Sequence, residues 1–386
     1  MPPTRTLMTL RKPMAHLAVP VALFLLAVAP TSSRAQVATG TDAVLPLLVT
    51  RGHAPAAALL TDAPSGTRYA HAEAEDGAEA EVGRDGPPEQ RPEPLRRADH
   101  FRAGSITKTF IATVVLQLAA EHRLSLSDSV EDHLPGLVRG EGGGEGAGRG
   151  DDGRRITLRA LLTHTSGLAD FTAVTRGTTP VTPRQAVRLA LALPPAVPGR
   201  FSYSNTNYVL LGLVIEQVTG NSYATEAERR VIAPLRLTGT SFPGARSSLP
   251  EPHGRAYSAD GSDVTDLDPR AAGAAGELVT TLPDVNRFYG ALLGGDLLRP
   301  RQLREMLDTG TAHGAYGMGL YPVRLPCGTT VWGHNGRIAG SYVRTAATVD
   351  GRHVLTYRVN TDAPEDPDLE PALLAAEFCP RTAPRP

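Results

Sequence analysis

The apolar residues of this chain change their spacing twice along its length, and that change limits the fold more than any other feature. Near the beginning, Ala56 to Leu60 and Thr67 to Glu73 read as β-strands. Near the end, Thr329 to His334, Tyr342 to Val349 and His353 to Asn360 are β-rich, with Asp350-Gly351 as the hairpin turn between the last two. Between these ends, Phe110, Ile111, Val114, Val115 and Leu118 recur at helical spacing, which predicts a helix from near Ser105 to about His122. A second helix is expected from about Tyr208 through Val218, stopped by Gly220, and a short one over Leu297 to Leu307. Leu369 to Phe378 reads as a closing helix. Strands at both ends with helices between them predict an α/β (α+β) fold. Its antiparallel sheet is built from both termini and flanked by helices, with an inserted, mainly helical domain. The expected division is an α/β lobe at about 36–100 and 255–386 and a helical lobe at about 101–254.

Residues 1–35 read as an export signal. Arg5, Arg11 and Lys12 precede an apolar run from Leu17 to Ala29, and Ser33-Arg34-Ala35 places small residues where a signal peptidase cleaves. The run is shorter than the roughly 20 residues a membrane span needs. The expected mature chain is therefore residues 36–386, starting at Gln36, secreted and without a stable membrane span, against the alternative of an uncleaved anchor. Its net charge of −1 gives no reason to expect nucleic acid or an anionic membrane as partner. Only Cys327 and Cys379 are cysteines; in an oxidising compartment one disulfide is the natural reading, against two separate thiols. Neither has a histidine at metal-ligand spacing, which argues against zinc. Residues 71–99 and 139–153 lack the apolar content to pack a core and read as surface insertions. The second holds a Gly-x-Gly-x-x-Gly run, Gly148 to Gly153, that follows no strand and carries no nucleotide signal.

Of the 39 basic residues only Lys12 and Lys108 are lysines, so the expected mature chain has a single amine side chain. A guanidinium does not deprotonate at any working pH, whereas a buried amine can. A lone lysine in an arginine background marks a position where titration matters, unless it is the survivor of a codon bias.

Gly104-Ser105-Ile106-Thr107-Lys108 puts a hydroxyl and that amine one helical turn apart on one face. Unpaired N–H groups and the helix dipole at a first turn favour the oxyanion formed when a hydroxyl attacks a carbonyl. Burial would lower the lysine pKa and make Lys108 a base for Ser105; the bland alternative is that Ser105 only caps the helix. In Phe201-Ser202-Tyr203-Ser204-Asn205, a phenol beside an amine can pass a proton to a leaving group and Asn205 can hold a substrate amide, although a lone tyrosine is more often packing. In Trp332-Gly333-His334-Asn335-Gly336-Arg337, the glycines admit a substrate backbone, His334 can join a proton network and Arg337 can pair with a carboxylate.

Ser105-x-x-Lys108, Tyr203-x-Asn205 and His334-x-Gly336 resemble the three signature elements of the serine penicillin-recognising superfamily. Its members include D-alanyl-D-alanine carboxypeptidases, class C β-lactamases and related esterases. The likeness extends from about residue 45 to Cys379 and takes in Ile156 to Leu168, Pro198-Gly199, Tyr203 to Tyr208 and Tyr316 to Leu320. It is nearest to the secreted D-alanyl-D-alanine carboxypeptidases, which have histidine in the third element and a disulfide placed like Cys327 with Cys379. The resemblance implies that Ser105 is acylated, that Lys108 and Tyr203 share the base and acid roles, and that the N–H groups of Ser105 and Arg337 form the oxyanion hole. Asn205 would hold the substrate amide, Asn335, Gly336 and Arg337 would line the substrate site, and His334 would tune the network. Which of Lys108 and Tyr203 takes the first proton stays open. His164 matches a structural turn and is left out of the catalytic set.

Two departures bear on substrate. The carboxypeptidases use hydroxyl side chains in the third element and an arginine on the neighbouring strand to bind a terminal carboxylate; here Asn335 and Arg337 replace the hydroxyls, and Tyr321 stands in the arginine's place. Arg337 is the expected substitute for the lost charge. The resemblance implies hydrolysis of a terminal D-Ala-D-Ala bond in peptidoglycan stem peptides, reaction with β-lactams, no metal or organic cofactor, and a monomer. A β-lactamase, an esterase, a non-turnover penicillin-binding sensor and a scaffold with a vestigial site remain as alternatives.

Overall fold

The computed structural model describes residues 40–74, 94–139 and 152–379. The export signal, the Gly148–Gly153 run up to Asp151 and the middles of both expected insertions lie outside the described residues.

Eight strands are formed among the described residues: β1 Ala56–Ala63, β2 Gly66–Glu73, β3 Phe101–Arg102, β4 Val279–Thr280, β5 Tyr321–Arg324, β6 Thr330–Ile338, β7 Ser341–Ala347 and β8 Val354–Val359. The main sheet runs β2-β1-β8-β7-β6-β5, antiparallel throughout. The early hairpin and the late meander meet at β1 and β8, where Leu60 faces Thr356 and Ala57 faces Val359, so both ends of the chain build one sheet. The helical segment departs after β3 and returns at β4, and these two short strands pair with each other.

Six helices frame the site: α1 Thr107–Ala120, α2 Pro183–Leu191, α3 Asn205–Thr219, α4 Leu282–Gly294, α5 Pro300–Leu307 and α6 Leu369–Phe378. β1 is covered on both faces, which is why its sequence runs apolar without alternation. Ala56, Ala58 and Leu60 join the core with α1 and α4. Ala57 and Leu59 pack with Leu373 and Leu374 of α6. Nearly every residue of α1 is buried, Phe110, Ile111, Val114 and Val115 completely, so α1 is an internal post rather than a surface helix. Among the described residues no helix is long and apolar enough to cross a membrane.

Cys327 and Cys379 form the expected disulfide across 52 residues, tying the β5–β6 turn to the end of α6. Closing such a loop contributes roughly 4 kcal/mol by restricting the unfolded chain.

Element ends depart from the sequence expectation for identifiable reasons. α3 starts at Asn205 rather than Tyr208, because its first turn is polar and its side chains bond to other segments, Thr206 to the Ala169 carbonyl and Asn207 to Ser166. α5 starts at Pro300 rather than Leu297, since Arg299 is extended and Pro300 suits a first helical position. β6 continues four residues past His334. Glycines lower its strand propensity, yet Gly336 must lie flat there, where a Cβ would collide with the Ala103 carbonyl.

Candidate active site

Ser105 sits in the 3₁₀ turn Gly104–Ile106 that leads into α1. The turn needs a glycine before the serine: Gly104 has φ +50°, and a Cβ there would lie 2.7 Å from the backbone nitrogen of Arg337. This close approach brings β6 against the start of α1 and sets Ser105 and Arg337 on the two sides of one cleft. Ser105 N–H belongs to a first turn, where N–H groups lack intrahelical acceptors.

Lys108, one turn on, is fully buried. Its Nζ lies 3.0 Å from Ser105 Oγ, 2.7 Å from Asn205 Oδ1 and 2.7 Å from the Ala275 carbonyl oxygen. Burial lowers its pKa from 10.5 to about 7, against an opposing pull from the Asp170 carboxylate. A neutral amine has two hydrogens and one lone pair. Asn205 Oδ1 and the Ala275 carbonyl can only accept, so they take the hydrogens and the lone pair faces Ser105 Oγ.

Tyr203 donates its hydroxyl hydrogen to Ser105 Oγ at 2.8 Å, and its ring centre is 4.9 Å from Lys108 Nζ. Burial of the phenol group raises its pKa above the usual value, although 36 % of the residue is exposed through the open cleft. The phenol is therefore a donor rather than a phenolate. His164 stacks on the Tyr203 ring with centroids 4.2 Å apart. Its Nδ1 accepts from Ser204 N–H at 3.2 Å and stands 3.1 Å from Asn207 Nδ2, and burial holds its pKa well below the ordinary value. It props the tyrosine as a neutral ring.

Asn205 is fixed at both ends of its amide. Oδ1 faces Lys108, while Nδ2 donates to Asp170 Oδ2 at 2.9 Å and Thr172 Oγ1 at 3.3 Å. Holding a substrate amide, its expected task, would require one of those two bonds to be exchanged.

β6 forms the opposite wall. His334 is buried and does not bond to Ser105, Lys108 or Tyr203. Nδ1 points at the Asn335 carbonyl, and Nε2 lies 2.7 Å from the Tyr316 hydroxyl. An oxygen that only accepts fixes the proton on Nδ1, so Nε2 accepts from Tyr316. Burial takes the His334 pKa down to about 3. His334 is thus a neutral ring that bonds to Tyr316 and the Asn335 carbonyl rather than directly to the groups it was expected to tune. Asn335 accepts from the Tyr321 hydroxyl at 3.2 Å. Behind Tyr321 lies the buried Arg344, its guanidinium carbon 4.6 Å from the ring and its Nε 3.3 Å from Glu370 Oε1. Arg337 is exposed, and among the described residues it has no ion-pair partner.

A cleft of about 640 Å³ opens over these groups, lined by Ser105, Tyr203, Asn205, Asn335 and Arg337 among others. Among the described residues no three or more histidines, cysteines or carboxylates gather as a metal site would require. Sequence reasoning missed three contributors, Asp170, the Ala275 carbonyl and Tyr316. Asp170 stands just past the quoted Ile156–Leu168 stretch; a main-chain carbonyl leaves no mark in sequence at all.

A hydroxyl held by an amine and a phenol, at the foot of a buried helix beside an antiparallel sheet, defines the serine hydrolases of the β-lactamase and penicillin-binding type. A family model, Beta-lactamase, matches residues 62–378, and the chain belongs to that family. Among solved structures, a D-stereospecific amidohydrolase from Streptomyces sp. is 38% identical with a TM-score of 0.74, the match covering 88% of this chain and 98% of that one. The D-amino acid amidase from Ochrobactrum anthropi SV3, in complex with L-phenylalanine, is 25% identical with a TM-score of 0.71, covering 87% and 97%. Penicillin-binding protein 4 of Amycolatopsis lactamdurans is 31% identical over 204 residues, and the match spans about half of that relative, 49% of its length.

Proposed function

We propose that this chain is a secreted, monomeric serine amidohydrolase that cleaves an amide bond beside a D-amino acid residue through an acyl-enzyme on Ser105. The observation that carries the reading is the placement of buried Lys108 Nζ 3.0 Å from Ser105 Oγ, with Asn205 Oδ1 and the Ala275 carbonyl placed to take its hydrogens. D-configured substrates are supported by the 38% identity to the D-stereospecific amidohydrolase over nearly its whole length.

Neutral Lys108 takes the proton of Ser105 as Oγ bonds to the substrate carbonyl carbon, and the carbonyl oxygen gathers negative charge facing the N–H groups of Ser105 and Arg337. When the C–N bond breaks, the leaving nitrogen takes a proton from the Tyr203 phenol, which is refilled from Lys108. Water then attacks the ester carbonyl carbon, giving a proton to Lys108; the bond from that carbon to Oγ breaks and Oγ takes the proton back, which frees the acid and restores Ser105. Lys108 is the first base because the phenol is held protonated by burial.

A second reading, D-alanyl-D-alanine carboxypeptidase on peptidoglycan stem peptides, is favoured by the exposed Arg337 on the cleft, which suits a carboxylate on the leaving residue. β-Lactams would acylate the same serine in either case.

Mass spectrometry of the protein incubated with a penicillin, followed over time beside a Ser105→Ala control, tests the chemistry. One adduct that forms and decays is expected in the parent and none in the control. Labelling that persists would make the protein a sensor, and no labelling of a folded parent would refute the acyl-enzyme. Parallel turnover of D- and L-phenylalanine amide and of an acyl-D-alanyl-D-alanine peptide then decides between the two readings.

A further inference from the structure

We infer that Asp170 is a positioning residue of this site: it orients the Asn205 amide, and through it aims the amine of Lys108 at Ser105. The inference rests on the acyl-enzyme reading and adds to it a residue that touches neither Ser105 nor Lys108 directly.

An asparagine amide has two ends of nearly equal shape, and only its hydrogen-bond partners choose between them. Asp170 makes that choice. Its ionised carboxylate only accepts, and Oδ2 lies 2.9 Å from Asn205 Nδ2. With the amide reversed, two oxygens would face each other at Asp170 and two donors would meet at Lys108. The carboxylate is itself held, since Oδ1 accepts the Thr172 N–H at 3.0 Å. Its backbone is tied to the start of α3: Ser204 and Thr206 hydroxyls donate to the Ala169 carbonyl at 3.0 and 2.7 Å, and Phe171 N–H donates to Thr206 Oγ1 at 3.1 Å. Asp170 and Asn205 therefore move as one piece.

The consequence lies at the amine. With Oδ1 turned away, Lys108 keeps the Ala275 carbonyl as its single fixed acceptor, the amine can rotate, and the lone pair no longer has one direction. Among the described residues, Asp170 is also the one carboxylate that acts on Lys108. The other titratable groups around it are Tyr203 and Tyr208, whose ring centres lie 4.9 and 5.6 Å from Nζ, and the neutral His164 and His334. Removing the Asp170 charge leaves burial unopposed and moves the lysine to still lower pKa.

The test pairs Asp170→Asn with the parent. Because Lys12 and Lys108 are the only lysines, labelling lysine with ¹³C at Cε and ¹⁵N at Nζ gives a Lys108 signal that titrates near neutrality, apart from an ordinary lysine. In Asp170→Asn that titration is expected at lower pH, and the acid limb of the penicillin acylation rate should move the same way. The plateau rate should fall by about a hundredfold, the scale of a lost general base. The amount of penicillin bound before reaction should change little. Asp170→Glu, which keeps the charge, should restore the lysine titration toward the parent value. An unmoved Lys108 titration with a parent-like acylation rate overturns the inference. So does a folded Asp170→Asn protein, judged by its thermal transition, that loses rate equally at every pH with no shift in the limb. If the parent itself is not acylated, the acyl-enzyme reading fails, while the lysine titration still reports on Asp170.

Discussion

The two walls of the cleft are built on opposite principles. On the helical wall, Lys108, Tyr203, Asn205 and Asp170 form an unbroken chain of bonds to Ser105, each between 2.7 and 3.0 Å. On the strand wall, His334 turns both ring nitrogens away to Asn335 and Tyr316, while Arg337 stands exposed in the cleft. The first wall is bonded throughout; the second presents a charge that has no ion-pair partner among the described residues. In the proposed mechanism, proton handling falls on one side and recognition of a carboxylate on the other.

The largest expected effect of breaking the first wall comes from Lys108→Arg. It preserves a cation but has no lone pair, and acylation by a penicillin should fall by about 10³-fold or more in stopped-flow or mass-spectrometric assays. The same position should show an inverse effect on stability. The folded chain releases the Lys108 proton at about 7, the unfolded chain near 10.5, so between these values the unfolded state binds more protons and stability rises with pH. Lys108→Met should therefore raise the thermal midpoint most below about pH 7, with the gain fading toward pH 10.5. Tyr203→Phe removes the donor but leaves the base, and should cost about 10²-fold, more on amides than on activated esters, whose leaving group needs no proton.

The strand wall should respond less, and selectively. Arg337→Ala should raise KM about tenfold for a peptide ending in a carboxylate and leave a neutral ester unchanged; equal loss on both substrates would contradict the division of labour. Smallest of all on catalysis, His334→Gln should lose about 1–2 kcal/mol of stability through the buried Tyr316 hydroxyl. It should leave the acid limb of the pH–rate profile in place. A shifted limb would return His334 to the proton network.

The difference between the walls also explains what could be read from the sequence. The meeting of Ser105, Lys108, Tyr203 and Asn205 could be expected from sequence because Ser105 and Lys108 stand one helical turn apart, Tyr203 and Asn205 bring a phenol and an amide in one short segment, and the lone lysine is conspicuous. The sheet built from both ends was legible from β-rich segments and the Asp350-Gly351 turn, and α6 runs over Leu369–Phe378 as expected. α4 escaped because its polar start at Thr281-Leu282-Pro283-Asp284 hides the apolar pattern of a helix buried on one side. The partners of His334 were not legible, because spacing says which residue stands on a strand, not what its neighbours have already claimed. Tyr316, 18 positions earlier, claimed it. The Ala275 carbonyl, which holds the amine, is common to every residue type and invisible in any alphabet of side chains.

The pairing of β1 with β8 has a consequence for how the molecule comes into being. Strands from positions 56–63 and 354–359 are neighbours, so the middle of the sheet is joined only once almost the entire chain is present, a large loop to close and a slow kind of topology to assemble. Gly336 and Arg337 of β6, which pack against Ala103 and Gly104 just before Ser105, belong to the same late meander. A growing or truncated chain would carry Ser105 and Lys108 without the strand against which Gly104 packs.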